Sequence, residues 1–314
     1  MQAVVIRDSQ LHVEERPDPR PGDTELLVAV RAAGINAADL VQRSGFYPAP
    51  PGSPPDIPGM ELAGEVLAVG RQVTVFAPGD RVMGVVGGGA QATLACIDES
   101  HALPVPASLP WPEAGGFPET FTTAHDALFT QAGLRMGEHV LVSGAAGGVG
   151  TAGVQLAAAA GAVVTATVRD PARRDAVAAL GAHAVLAPGE EGAGGPYDVV
   201  LELVGASSVQ SVLAHMAPWS RIVVIGVGGG GKLELDLMQL MLRRTRVGGS
   251  TLRARSRREK ADAAAAVAAH VLPALAAGRL RVPVCDTFPL TDAEAAYERF
   301  AAGAKLGKVV LVNE

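Results

Sequence analysis

Apolar and polar positions alternate in two different ways along this chain, and the change of pattern divides it. In the first part, short apolar runs stand between turn-forming residues. Met1 to Asp8, Leu26 to Ala33 and Leu62 to Val69 read as strands, punctuated by the prolines of Pro17 to Gly22 and Pro48 to Pro58. Pro78-Gly79-Asp80-Arg81-Val82 reads as another turn into a strand, so this part is expected to be an antiparallel β domain. Further on, apolar runs alternate with helix-forming segments. Val140 to Ser143, Val163 to Val168, His183 to Leu186, Asp198 to Leu203, Arg221 to Ile225 and Val247 to Thr251 are the expected strands. Strands with intervening helices predict a doubly wound parallel sheet, so the fold class is α/β. The tail reads as an alanine-rich helix near Ala261 to Ala277, a short helix from Asp292 to Ala302 and a final strand, Lys308 to Val312. The expected division is 1–118, 119–252 and 253–314.

The junction of the first expected parallel strand with its helix is the most informative stretch. Glu138 to Val142 leads into Ser143-Gly144-Ala145-Ala146-Gly147-Gly148-Val149-Gly150, and the alanine-rich segment Thr151 to Ala160 follows. Strand, glycine turn and helix in that order suit a dinucleotide pyrophosphate. Glycines let the turn take positive φ and let the phosphates approach, and the helix N-terminus offers free N–H groups. The alternative is a plain glycine-rich turn between two buried strands. Val140 to Val168 carries no charged residue, long enough to span a bilayer, but its six glycines and its strand-turn-helix-strand pattern predict a buried parallel-sheet unit.

The end of the second strand selects the nucleotide. An acidic residue there hydrogen-bonds the ribose 2′-hydroxyl of NAD, whereas a basic one accommodates the 2′-phosphate of NADP. The chain reads Thr167-Val168-Arg169-Asp170-Pro171-Ala172-Arg173. With the strand ending at Val168 the acid slot is empty, Arg169 is placed for phosphate and Arg173 lies one helical turn on, which favours NADPH. Asp170 competes for the acidic role, or instead caps the helix that begins at Pro171.

Composition narrows the partners. The chain has 314 residues, is 48% hydrophobic and carries a net charge of −6, enough for two cores and adverse to nucleic acid as the main partner. The basic run from Arg243 through Arg253 to Lys260 is expected to be a solvated face beside a cofactor or subunit edge, with an RNA-binding patch as the alternative. Cys96 and Cys285 lack disulfide density or zinc-lobe spacing and are expected to be buried thiols. The first residues show no signal-peptide apolar core, so the expected location is cytoplasmic, away from membranes.

Six stretches carry a resemblance that runs through essentially the whole chain: Gly34-Ile35-Asn36-Ala37-Ala38-Asp39-Leu40, Gln42 to Tyr47, Pro58-Gly59-Met60-Glu61-Leu62-Ala63-Gly64, Pro118 to Ala124, Ala145 to Gly150, and Gly307 to Leu311. The chain resembles the medium-chain dehydrogenase/reductase superfamily, and within it the zinc-free quinone oxidoreductases near the tumour-suppressor-inducible type. The resemblance implies a GroES-like antiparallel β catalytic domain, a Rossmann doubly wound domain and a tail that returns to the first. It implies homodimerisation, often through the last sheet strand, here near Val247 to Leu252. Zinc alcohol dehydrogenases of the superfamily place cysteine where Asn36 stands and histidine where Met60 stands, so no metal is expected. His101 and His125 are isolated and read as packing or hydrogen-bonding residues.

By the same resemblance Asn36 lies beside the nicotinamide ribose and donates to an acceptor oxygen, or is a structural asparagine. Asp39 orients it, or caps a helix. Tyr47 stacks on a flat acceptor and donates to its carbonyl, or is a packing plug. Gly147, Gly148, Val149, Arg169 and Arg173 form the expected cofactor site, joined by Thr123 and Gly226 and more loosely by Thr251 and Lys308. Thr123 reads otherwise as a helix N-terminal threonine and Gly226 as a turn glycine. The family's serine-containing phosphate loop is replaced by Arg169-Asp170, and a tyrosine some relatives use near the phosphate is absent from Val185-Leu186-Ala187-Pro188. The expected activity is NADPH-dependent, metal-free reduction of quinones or related electron-poor carbonyl compounds. The alternatives are reduction of the C=C bond of α,β-unsaturated ketones or enoyl thioesters, and a non-catalytic NADPH-binding role.

Overall fold

The structure, a computed structural model, describes residues 1–313 and comprises two compact units. One is formed by Met1–Thr122, Leu252–Gly303 and the chain from Lys308, the other by Thr123–Thr251 and Ala304–Gly307. The chain passes from the first to the second inside the helix Pro118–His125.

The Thr123–Thr251 unit is built on six parallel strands in the order Ala184–Leu186, Val163–Thr167, His139–Val142, Tyr197–Glu202, Met216–Val224, Arg246–Gly249. This is the doubly wound order, in which the chain starts mid-sheet, runs to one edge and then to the other. Leu141, Tyr197, Val200, Val209, Val212, Met216 and Ile222 form one core cluster. Five strands lie where the apolar runs place them, with ends shifted by one or two residues. The fifth starts at Met216 rather than Arg221, because Pro218 and a left-handed Trp219 (φ 65°) hide a register shift between the Tyr197 and Val199 pairs. The last strand is an exposed edge along its whole length. The uncharged run Val140 to Val168 is a strand, a helix and a strand, and among the described residues no helix is long and apolar enough to cross a membrane.

In the other unit, a seven-stranded sheet includes Val284–Pro289, Lys308–Val312, Glu25–Gly34, Glu61–Val69, Arg81–Val85 and Ala102–Pro104 in that order, with Leu94–Asp98 also on Glu25–Gly34. All its pairs are antiparallel except Val284–Pro289 with Lys308–Val312, whose connection carries the helix Ala293–Ala301 and so can cross over. A hairpin of Gln2–Arg7 and Gln10–Glu15 turns on Asp8 and Ser9, both at positive φ. The expected tail helix is two, Arg257–His270 and Leu272–Ala276, because Pro273 lacks the amide a continuous helix needs.

Two sequence expectations are corrected here. The basic run is not a continuous solvated face. Arg253 is 3% exposed, Arg257 pairs with Asp98 at 2.8 Å, and Arg243 donates to the Met216 carbonyl at 2.9 Å. The cysteines are free but only half-buried. Burial pushes the Cys96 thiol up to about 11, and Cys285 donates to the Lys308 carbonyl at 3.0 Å.

Candidate functional site

In the parallel-sheet unit, His139–Val142 runs into the glycine turn, with Gly144 at φ 58°, and the helix Gly148–Ala159 follows. Its N-cap, Gly147, supplies no side-chain cap, and the first turn holds no acidic residue. The amides of Gly148, Val149 and Gly150 therefore lack the intrahelical partners that later residues have. Gly150 is sterically required. A Cβ there would stand 2.6 Å from Ala145 Cα and 2.7 Å from the Gly144 carbonyl oxygen. The helix thus sits directly on the turn, a cradle suited to a diphosphate. Gly307 donates its amide to the Ala146 carbonyl at 2.8 Å and holds the turn from the side.

Glu202, fully buried at the end of its strand, ties this end of the sheet together. Its Oε1 accepts from Ser143 Oγ and from the amides of Val204 and Gly205, and its Oε2 accepts from Ser208 Oγ. Gly226 has a structural reason of its own, since a Cβ there would meet the Leu203 carbonyl oxygen at 2.2 Å.

At the end of Val163–Thr167, Arg169 is exposed and no hydrogen bond or ion pair engages it among the described residues. Asp170 takes the capping role. Its carboxylate accepts the Ala172 amide at 3.0 Å, at the start of a short 3₁₀ turn. Arg173 is partly committed, donating to the Ala304 carbonyl at 3.2 Å and lying 3.7 Å from Asp170. Of the two arginines, Arg169 is the unengaged one.

The other unit holds a second constellation on the helix Ala37–Arg43. Asn36, its N-cap, with Asp39 and Gln42 forms a buried polar face where a helix ordinarily buries apolar residues. Asn36 Nδ2 donates to Glu61 Oε1 at 2.9 Å, and Asn36 Oδ1 accepts from Lys308 Nζ at 2.8 Å. A carboxylate on one side and an ammonium on the other fix which way the amide faces. Lys308 also donates to the Ile35 carbonyl at 2.7 Å and pairs with Glu61 at 2.6 Å, so its ammonium is used up within the protein.

Asp39 accepts the Asn36 amide at 2.8 Å and the Gly59 amide at 3.2 Å, so it both caps the helix and fixes the Pro58–Gly59 turn. Burial pushes its carboxyl up to about 6 against the pull of these bonds and of Lys308. A carboxyl that ionises later in the folded chain favours folding while it is protonated. Its contribution is therefore lost as pH rises from about 4 to about 6, by on the order of 2–3 kcal/mol. Urea midpoints of Asp39→Asn are accordingly expected to gain on wild type across that interval. A constant difference from pH 4 to 7 would contradict this.

Tyr47 is half-buried, with Arg253 over its ring and no hydrogen bond to its hydroxyl among the described residues. Thr123 is buried in the second turn of its helix rather than at the N-terminus, and Thr251 is exposed. His101 bonds the Arg257 carbonyl at 2.9 Å, and His125 packs on Phe129. Met60 is buried, and among the described residues no His, Cys, Asp and Glu group is arranged to hold a metal ion. Glu61, Glu202 and Arg253 were not singled out by sequence. Glu61 lay inside a recognised stretch, whereas Arg253 was hidden in a run of arginines.

Residues 22–130 match the family described as alcohol dehydrogenase GroES-like domain, and residues 148–269 the family described as zinc-binding dehydrogenase. The chain is 31% identical to the mouse quinone oxidoreductase over 94% of its own length and 91% of the relative's; the pig protein is 32% identical with the same coverage. It is also 36% identical over 91% of its length to NorB, a spectinabilin polyketide synthase system protein of Streptomyces orinoci, of which it spans only 13%. Among solved structures, an alcohol dehydrogenase superfamily protein from Novosphingobium aromaticivorans matches with TM-score 0.89 at 27% identity, each chain fully covered. A mycobacterial protein complexed with NADPH matches with TM-score 0.88 at 26% identity, again with full coverage of both.

Proposed function

Because the chain belongs to the medium-chain dehydrogenase/reductase family, as an oxidoreductase of it, we propose that it uses NADPH, without a metal, to reduce quinones or related electron-poor carbonyl compounds. The observation that carries this reading is the uncapped helix N-terminus at Gly147 together with an unengaged Arg169 at the end of the next strand. When bound, NADPH supplies the hydride. The amides of Gly148, Val149 and Gly150 take the pyrophosphate, and Arg169 takes the 2′-phosphate. The free hydroxyl of Tyr47 is the first donor assigned to the acceptor oxygen; Asn36, its amide fixed by Glu61 and Lys308, is the second, through the N–H that makes only a 3.4 Å contact with the Gly34 carbonyl. The similarity to quinone oxidoreductases over nearly the whole chain supports the acceptor class.

A second reading is reduction of a C=C bond conjugated to a carbonyl, as in an α,β-unsaturated ketone or enoyl thioester; the chain also matches NorB, a polyketide synthase system protein. The exposed edge strand Arg246–Gly249, with Trp219, Leu237, Met238, Met241 and Leu242 exposed in the same unit, supports a second copy of this chain as partner.

The test is steady-state oxidation of NADPH and of NADH with 1,4-benzoquinone and then with 2-cyclohexenone. Arg169→Ala removes charge-assisted hydrogen bonds, so NADPH is expected to bind roughly 10- to 150-fold more weakly, with NADH within about twofold. An unchanged NADPH affinity would rule out the phosphate assignment. Turnover of the enone but not the quinone favours the second reading, and binding without turnover of either favours a non-catalytic role.

A further inference from the structure

We propose that Arg253 is a positioning residue of the acceptor site: its guanidinium fixes the Tyr47 ring and the loop that carries it, and thereby sets the affinity for a flat, electron-poor carbonyl acceptor. The inference rests on the reductase reading above and assigns a role in it to a residue outside the expected site.

Three observations carry it. First, Arg253 joins three segments of its unit. Its Nε donates to the Gly87 carbonyl at 2.8 Å, Nη1 to the Tyr47 carbonyl at 3.1 Å, and Nη2 to Gln42 Oε1 at 2.6 Å. The loop is packed so closely that a Cβ on Gly87 would meet Ser53 Oγ and Pro50. Second, the partners of these bonds are carbonyls and an amide. The guanidinium makes no salt bridge among the described residues, and its burial is a cost that the fields of the Asp39 and Glu119 carboxylates only partly offset. The charge has a use here: Arg253 Cζ stands 5.1 Å from the centre of the Tyr47 ring. Third, Tyr47 is the tyrosine with donor capacity to spare. The chain has three, and the other two are fully buried and committed, Tyr197 to the Glu191 carbonyl at 2.7 Å and Tyr297 to Gln91 Oε1 at 2.9 Å.

Electrostatics point the same way. Burial pushes the Tyr47 phenol up, and the Arg253 charge opposes that shift, so the guanidinium makes the hydroxyl a stronger donor. The groups facing Arg253 include Asp39, Tyr47, Glu119 and Tyr297. Of these, Glu119 also acts on the Tyr47 phenol, opposing the guanidinium.

The experiment uses the full chain with Arg253→Met, which removes charge and bonds, and Arg253→Lys, which keeps the charge without the fork. With 1,4-benzoquinone varied at saturating NADPH, KM is expected to rise roughly tenfold for Arg253→Met, the scale of a lost cation–π contact and a hydrogen bond, and less for Arg253→Lys. NADPH affinity, read by its fluorescence, stays within about twofold. In a Tyr47→Phe background the Arg253→Met effect shrinks to under about threefold, since the pair acts as one unit. Labelling with 3-fluorotyrosine gives three fluorine resonances, and the Tyr47→Phe variant identifies one. That resonance alone is expected to move in Arg253→Met, with its titration midpoint raised.

An unchanged KM with an unmoved Tyr47 resonance overturns the proposal. So does a lower stability of Arg253→Lys with KM unchanged, which is what a simple brace predicts. A wild-type chain inert to quinone and enone overturns the reductase reading instead, a failure the kinetics of the parent protein reveal before any variant is made.

Discussion

Lys308→Met is expected to lower the thermal midpoint by on the order of 10 °C, from a loss of about 3–5 kcal/mol. The side chain is buried, and its ammonium pairs with a carboxylate that has no exposed surface, Glu61, at 2.6 Å. Methionine fills most of the volume but leaves the buried Glu61 carboxyl without its cation, with only Asn36 Nδ2 and the Glu119 amide to stabilise it, at 2.9 Å each. Desolvating the pair was already costly, so the pair as a whole adds little stability, and the damage comes from leaving one half behind. The double variant Lys308→Met/Glu61→Leu is therefore expected to be more stable than the sum of the single losses by at least about 1–2 kcal/mol. Urea denaturation of the four proteins completes the cycle. A single-variant loss below 1 kcal/mol, or strict additivity, would show that the ammonium and carboxylate are not coupled. The same substitution frees Asn36 Oδ1 of its donor, so its amide can turn over, and acceptor turnover should fall even at temperatures where the protein stays folded.

The glycine turn, the parallel sheet and the strand positions, to within one or two residues except at the start of Met216–Val224, were legible because each is written in neighbouring residues. Gly144 to Gly150 announces a turn into a helix, and the apolar runs that follow are continuous because both sheet faces are covered. Asp170 was legible as a cap from the proline beside it. The missed start of Arg257–His270 was also local. Ser256 and Glu259 form a capping box, and that signature lies inside the arginine run that drew attention to charge instead.

What could not be read was long-range pairing. Nothing near Lys308 in the chain says that its ammonium meets Asn36 and Glu61, and nothing near Arg253 says that it will be buried against Tyr47 and Gln42. A basic residue in a polar run is a solvated face by default, because surface positions outnumber buried ones. The exception is made by the fold, which brings two carbonyls and the Gln42 amide oxygen around one arginine of several, with Asp39 and Glu119 near its charge.

Glu202 is where a single change should do most to the cofactor half. Glu202→Leu is expected to cost roughly 3–6 kcal/mol and to abolish measurable NADPH binding, since burying unsatisfied donors costs about 1–3 kcal/mol each. The carboxylate receives two hydroxyls and two amides, and the amides belong to Val204 and Gly205 in the turn that follows the strand. Ser143 is held twice over: it donates to Glu202 and accepts the Leu203 amide at 2.7 Å, and it stands at the mouth of the glycine turn. Glu202→Gln separates charge from geometry. The glutamine oxygen can keep the three bonds of Oε1, and its NH₂ can donate to Ser208 Oγ, a hydroxyl able to accept as readily as donate. That variant is expected to lose about 1 kcal/mol and to bind NADPH within roughly fivefold of wild type. NADPH fluorescence titration together with chemical denaturation checks both. If Glu202→Gln proved as damaging as Glu202→Leu, the carboxylate charge itself, rather than its four hydrogen bonds, would be what holds the loop in its binding shape.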